Sequence, residues 1–253
     1  MGTITHSDTL YSHLLTMAGR ERLVDEAYQV HDAVFSGMDR AAFRKMVLPE
    51  SEHSSILLHR GEHGQAVGYC AVHLFQRRAA GREVKVLRGQ AGLLKDYHGR
   101  NSNMPFLAGC MLRYWLRSPW RPMYFLGAMI HPSSFIQMHK YAAGMWPSPE
   151  RGMEQPLARL AAELCGSFGM AVPAAERPFV VKLGILTRDS QTDRQFWLQH
   201  PRPAARYFVE HNPDYHEGHG LLAMAELSPT AILNGVWRYL RDRRRAAAER
   251  SRL

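Results

Sequence analysis

The sequence contains no uninterrupted apolar run of about 18 residues, so no helix is expected to cross a bilayer. It holds only three cysteines, Cys70, Cys110 and Cys165, far apart and each in apolar surroundings. An odd number at such spacing excludes a disulfide framework and fits reduced core thiols. The opening residues MGTITHSDTLYSHLL lack a basic stretch followed by an apolar segment, and His6 stands where a myristoylation signal needs Ser or Thr. A soluble, cytoplasmic protein is the resulting expectation. No internal repeat or low-complexity stretch is present, which excludes solenoids.

What is present is ordinary globular material, 45% hydrophobic and 22% charged, carrying a net charge of +9. The charge is unevenly placed: from 241 to 253, six arginines face only Asp242 and Glu249, which puts +4 of the excess in a basic helical tail. Such a run suits a solvated helix C-terminus, or else an anionic partner: an acidic protein, a membrane surface or nucleic acid. The aromatics Tyr114, Trp115, Trp120, Trp146, Trp197 and Tyr207 are not interleaved with a basic cluster, so nucleic acid is not expected.

Periodicity predicts the elements. A first strand is expected near Ser12 to Ala18, a helix from Glu21 to Ser36 and a short one from Asp39 to Val47. Three strands in a meander follow: Ser55 to His59, Ala66 to Gln76, and the run GREVKVLRGQAGLL. Then come the helix starting MPFLAGC, a strand from Pro122 to Ile130, a helix from Ser133 to Tyr141 with a serine N-cap, and a helix from Pro156 to Phe168. The run PFVVKLGILT reads as one strand, Thr192 to Gln199 and Ala204 to His211 as short helices, LLAMAEL as a strand and Thr230 onward as the last helix.

Between the third meander strand and the next helix stands LLKDYHGRNSN, Leu93 to Asn103, dense in turn-forming residues. A helix N-terminus with free N–H groups is an anion site, and glycine or asparagine lets the turn take positive φ. With the element order, this junction resembles the GNAT superfamily of N-acyltransferases, whose core runs strand, two helices, three strands, helix, strand, helix, strand, strand. In that family the pattern V-x-P-x-Y-R-G-x-G-x-G/A at this place holds the pyrophosphate of coenzyme A. Leu93 falls at the valine, Lys95 at the proline, Tyr97 at the aromatic, His98 at the arginine, Gly99 at the first glycine, and Asn101 and Asn103 at the later small residues. The resemblance therefore implies an α/β (α+β) fold with a mixed, mostly antiparallel central sheet flanked by helices. It also implies a donor cradle of Leu93, Leu94, Lys95, His98, Gly99, Arg100, Asn101, Ser102 and Asn103.

The resemblance implies one acyltransferase domain over 1–253, with additions to the minimal core in 147–220. The donor would be acyl-CoA or acyl-phosphopantetheine, no cofactor would be tightly bound, and the acceptor would be a small-molecule amine. Long-chain N-acyl amino acid synthases share this fold and draw on acyl carrier protein. By analogy, a basic rim of Arg77, Arg78, Arg82, Lys95 and Arg100 would receive such an acidic carrier. Glu83 would be a general base on the strand leading to the cradle, His131 a base or substrate clamp at the next strand's end, and Tyr141 the acid in a variant of the family's Y-x-x-x-G-F ending. His131 and Tyr141 are expected to share one pocket. Structural alternatives stand beside each: an exposed hairpin edge for Glu83, a helix-capping histidine, a core tyrosine. YHEGHG, Tyr215 to Gly220, brings His216, Glu217 and His219 close together without the H-E-x-x-H spacing, so no metal is expected. The other class of function is a non-catalytic GNAT-like module that binds a ligand or partner. Oligomeric state leaves no trace in the sequence.

Overall fold

The computed structural model describes residues 2–98, 103–142, 144–150, 155–170, 177 and 179–250. In chain order the elements are β1 (His6–Tyr11), α1 (Met17–Val34), β2 (Phe35–Ser36), α2 (Arg40–Val47), β3 (His53–Arg60), β4 (Ala66–Ala79), β5 (Arg82–Leu93), α3 (Met104–Leu116), β6 (Met123–Met129) and α4 (Pro132–Tyr141). After them come α5 (Gln155–Ser167), β7 (Val180–Lys182), β8 (Leu186–Thr187), α6 (Gln191–Leu198), α7 (Pro203–His211), β9 (His219–Glu226) and α8 (Pro229–Arg250).

The first strand lies upstream of its expected place. Thr16 takes an extended conformation and its side chain accepts the Gly19 N–H, so the apolar Leu15 to Ala18 stretch starts a helix instead of forming a strand. Asp39 caps α2 in the same way by accepting the Ala42 N–H at 2.7 Å. The meander follows the expectation. β3, β4 and β5 pair antiparallel, and the β4–β5 hairpin closes through Ala80 and Gly81, both at positive φ, as a two-residue hairpin turn requires.

One sheet of seven strands results, in the order β1-β3-β4-β5-β6-β9-β7, with every pair antiparallel except β5–β6. The run PFVVKLGILT does not form the single strand its composition suggests. Gly184 at φ 72° turns the chain out of the sheet after β7, and β8 pairs instead with β2 as a separate ribbon. Gly37, at φ 89°, sits so close to the Gly184 carbonyl that any Cβ there would collide with it, which fixes this crossing.

Strand alternation divides the core. Ile56, Leu58, Tyr69 and Ala71 meet Leu23, Ala27 and Val30 of α1 and Phe43 of α2 on one face, where Phe168, just past α5, also packs against Phe75. Leu57, Cys70, Val72 and Leu87 meet Cys110 and Tyr114 of α3 and Ile232 of α8 on the other. Lys85 is buried on that second face, and its ammonium donates to the carbonyls of Tyr114, Trp115 and Ser118 at 3.1, 3.1 and 2.8 Å. It closes the C-terminus of α3, where free carbonyls and the dipole favour a cation.

Candidate active site

β5 and β6 are paired over only three residues, Lys85 with Met123, Val86 with Tyr124 and Leu87 with Phe125. Beyond them each strand follows its other neighbour. β5 stays with β4 as far as Leu93 opposite Gly68, and β6 stays with β9 as far as Met129 opposite Leu221. The sheet therefore opens into a wedge whose walls are two unpaired strand edges. The diverging segments carry several small residues, Gly89, Ala91 and Gly92 on β5 and Gly127 and Ala128 on β6, among larger ones such as Arg88, Gln90 and Met129. Free edges of this kind accept an extended ligand that carries its own amides, because the ligand can complete the missing ladder.

At the β5 side of the mouth, the Leu94 N–H donates to Val67 O at 3.0 Å, and a single 3-10 turn, Lys95–Tyr97, follows. His98 returns its Nε2 to Leu93 O at 2.9 Å. Asn103 precedes α3, and its carbonyl accepts the Leu107 N–H, but its side chain makes no cap. Asn103 Oδ1 instead receives His59 Nε2 at 2.9 Å, while His59 Nδ1 lies 2.7 Å from Ser7 Oγ. Burial holds His59 below the usual histidine range against the pull of Asn103, so a neutral imidazole with its proton on Nε2 anchors the start of α3. Nothing in the sequence pointed to this link, which joins residues 44 positions apart. Of the expected cradle, Gly99, Arg100, Asn101 and Ser102 lie outside the described residues.

On the β6 side, His131 caps α4 in place of the expected serine: its Nδ1 accepts the Ser133 N–H at 3.2 Å and lies 2.7 Å from Ser133 Oγ. Its Nε2 faces Asp189 Oδ2 at 3.2 Å, with both side chains more than four-fifths buried. Since Nδ1 is the acceptor, the proton sits on Nε2 and is donated to the carboxylate. Burial alone would push the Asp189 carboxyl up, yet the hydrogen bonds from His131 and from Thr187 at 3.1 Å hold it below the ordinary carboxylate range. The edges of Trp197 and Tyr215 close the imidazole in, at ring-centre distances of 5.2 and 6.2 Å. The Tyr215 hydroxyl is buried without a hydrogen-bond partner and is pushed up to about 12, first by burial and then by the charge of Asp189. A buried hydroxyl left unpaired is costly unless a ligand completes it.

The β2–β8 ribbon joins the two sides. Phe35 packs beside Gly92 of β5, where any added Cβ would come within 3.3 Å of its ring, and Asp189 stands two residues past β8. Lys95, past the end of β5, pairs with Asp193 of α6 at 3.6 Å. Asp189 and Tyr215 were missed at the level of sequence because no spacing rule connects them to His131.

Two expected site residues stand apart. Glu83 lies at the hairpin end of β5, ten residues or roughly 33 Å of strand from Leu93, exposed and paired with Arg121 at 2.6 Å. Tyr141 lies at the opposite end of α4 from His131, a separation of about 15 Å along the helix. There its hydroxyl points to Asp242 at 3.5 Å and its ring meets Tyr239 edge-on. His131 and Tyr141 therefore do not share one pocket, because the helix between them carries the tyrosine onto α8. The expected basic rim is likewise divided: Arg77, Arg78 and Arg82 flank the β4–β5 hairpin while Lys95 is at the far end of β5. In YHEGHG, His219 Nδ1 turns to Asp214 O, and no group of three or more metal-ligating side chains converges among the described residues.

No family model matches the chain, and no curated protein sequence matches it. Among solved structures, it is similar to a GNAT superfamily phosphinothricin acetyltransferase from Sinorhizobium meliloti in complex with AcCoA, at 13% identity over 88% of this chain and 89% of that one, with a TM-score of 0.38. It is also similar to a probable N-acyltransferase from Enterococcus faecalis V583, at 12% identity over 55% of this chain and 32% of that one, with a TM-score of 0.37. A ribosomal-protein-alanine N-acetyltransferase from Brucella melitensis biovar Abortus 2308 is similar at 12% identity over 47% of this chain and 79% of that one, with a TM-score of 0.32. The order of elements and the parting of β5 from β6, within a mostly antiparallel sheet of seven strands flanked by helices, give the chain a GNAT-like fold.

Proposed function

We propose that this protein is an N-acyltransferase that moves an acyl group from a phosphopantetheine thioester, in coenzyme A or on an acyl carrier protein, to the amine of a small molecule. The observation that carries this reading is the wedge between β5 and β6 with a buried His131–Asp189 pair beside its β6 wall. The pantetheine arm enters the wedge and its amides complete the open strand edges. The phosphates lie toward the turn that links β5 to α3.

In the reaction the acceptor nitrogen attacks the thioester carbonyl carbon. His131 Nδ1 takes the proton the nitrogen loses, with the Ser133 hydroxyl as relay, and Asp189 stabilises the imidazolium through Nε2–H. Backbone N–H groups along the open edge of β5 hold the tetrahedral oxyanion. When the carbon–sulfur bond breaks, the Tyr215 hydroxyl, fully protonated at neutral pH, supplies the proton to the thiolate. The additions between 147 and 220 furnish Asp189, Trp197 and Tyr215 and so form the acceptor side of one acyltransferase domain.

Thermal shift with acetyl-, octanoyl- and palmitoyl-coenzyme A, followed by release of free thiol on addition of amines, tests the reading. A donor at 100 times its Kd stabilises the fold by about 2.7 kcal/mol, and the acyl length giving the largest shift identifies the donor class. Absence of a shift with all three, and with an acyl carrier protein thioester, would replace the enzyme by a binding module.

A further inference from the structure

The outer surface of the α3 and α8 layer is apolar where a solvated surface should be polar. On α8, Leu233, Trp237 and Leu240 recur at helical spacing and are exposed by 63, 59 and 48%, on a stripe turned about 100° from the side that buries Ile232 and Tyr239. α3, which packs against α8 on the same face of the sheet, exposes Leu112 and Leu116, and Trp120 just beyond it is 76% exposed. Isolated exposed apolar residues need no explanation, but a run of six over two adjacent helices does.

The charges around this patch have one sign. Arg241, Arg244 and Arg245 of α8 are exposed beside it, and the Arg241 guanidinium stacks on the Trp237 ring at 4.8 Å, while Arg113 and Arg117 of α3 turn to the Tyr11 ring and to His53. α3 contains no acidic residue. Of the two on α8, Asp242 is taken up by Lys140 at 2.8 Å and only Glu249, beyond the apolar stripe, is exposed and acidic. A symmetric pairing of two copies through this face would set Arg241 and Arg244 against their own counterparts, so the charge disfavours a second copy as the cover.

We propose that this face docks on an anionic membrane surface, with Trp237, Leu233, Leu240, Leu112, Leu116 and Trp120 entering the headgroup–acyl boundary and the flanking arginines meeting lipid phosphates. Leucine and tryptophan on one side of a helix whose exposed charges beside them, Arg241, Arg244 and Arg245, are all positive form the pattern of a helix lying in a membrane interface. Docking would place the enzyme on the surface where long apolar chains reside, but the inference stands on this face alone and not on the acyltransfer reading.

The test is flotation of the full chain with vesicles of pure phosphatidylcholine and of phosphatidylcholine mixed with phosphatidylglycerol, at low and physiological salt. Binding is expected to the mixed vesicles only, with a blue shift of tryptophan emission. Trp237→Ser with Leu240→Ser should weaken it about tenfold or more, and Arg241→Gln or Arg244→Gln about fivefold each, all with unchanged circular dichroism because the positions are exposed. No binding to mixed vesicles at low salt overturns the proposal. Binding lost with the arginines but untouched by the serine pair overturns it too, and assigns the face to an acidic protein or other purely electrostatic partner. A dimer in sedimentation that the serine pair dissolves, without vesicle binding, assigns the face to a second copy.

Discussion

His131 Nε2 lies 3.2 Å from Asp189 Oδ2 across 58 residues of sequence, and this contact turns a helix-capping histidine into a histidine with a fixed tautomer and a counterion. Asp189→Asn should therefore fold normally and lower turnover by about ten to ten thousand fold with little change in donor affinity. His131→Asn separates the histidine's two roles, since asparagine is a good N-cap but no base. It should lower the melting temperature less than His131→Ala, which loses the cap as well as the Asp189 contact, while matching the loss in the Asp189 variant. Stopped-assay turnover on both variants decides this; full activity in either would remove the pair from the chemistry. Glu83→Gln and Tyr141→Phe, whose partners are Arg121 and Asp242, should leave turnover intact.

Tyr215→Phe should move stability and activity in opposite directions. Removing a buried hydroxyl that has no partner should stabilise the fold by about 1 kcal/mol, whereas loss of the acid should lower turnover by about tenfold or more. Urea unfolding and steady-state kinetics on the same preparation give both numbers, and a destabilised variant would mean the hydroxyl has a structural partner.

The wedge gives a steric prediction. Ala91 is exposed on the part of β5 that has left β6, so Ala91→Trp should block an extended ligand without disturbing the core. Donor Kd from thermal shift or calorimetry should rise about tenfold or more, at least 1.4 kcal/mol. Unchanged affinity would place the donor elsewhere.

Acid should destabilise the fold through two buried histidines that carry no catalytic role. Burial drops His31, hydrogen-bonded to Tyr69 Oη at 2.9 Å, to about 4, and His73, held between Ser54 and Gln90, to about 3. Both are lowered from the ordinary 6.5. Between these values the unfolded chain binds the protons and the folded one does not, so stability is complete above pH 6.5 and falls as the pH drops. The slope is about 1.4 kcal/mol per pH unit for each histidine. His73→Gln should flatten the melting-temperature profile between pH 6.5 and 4, and an unchanged profile would exclude this origin.

Lys85 offers a test of the α3 anchor. Lys85→Met keeps the apolar stem but removes the ammonium's donations to the carbonyls of Tyr114, Trp115 and Ser118, of which Trp115 keeps the Ser118 N–H and Ser118 the Arg121 N–H, and should cost about 2 to 3 kcal/mol in urea unfolding. A neutral result would show that those carbonyls find other donors.

The sequence by itself determined what depends on neighbours in the chain. The meander, the Ala80–Gly81 turn, the Asp39 cap, the helices from Met104 and Pro132 and the last helix are all set by local propensity, capping and alternation. β5 ends at Leu93, just where the turn-forming stretch begins, and the 3-10 turn Lys95–Tyr97 follows. Misreadings occurred where a local rule met a longer-range one. Thr16 captured an apolar stretch for α1, and Gly184 divided one apolar run between the sheet and the β2–β8 ribbon. Tertiary structure alone decided the site. β5 parts from β6 because each holds a longer partner on its other side, Asp189, two residues past β8, reaches His131, Asn103 turns to His59, and α4 carries Tyr141 away to Asp242. Each is a contact between residues distant in sequence, set by packing of the whole sheet and invisible to any spacing rule.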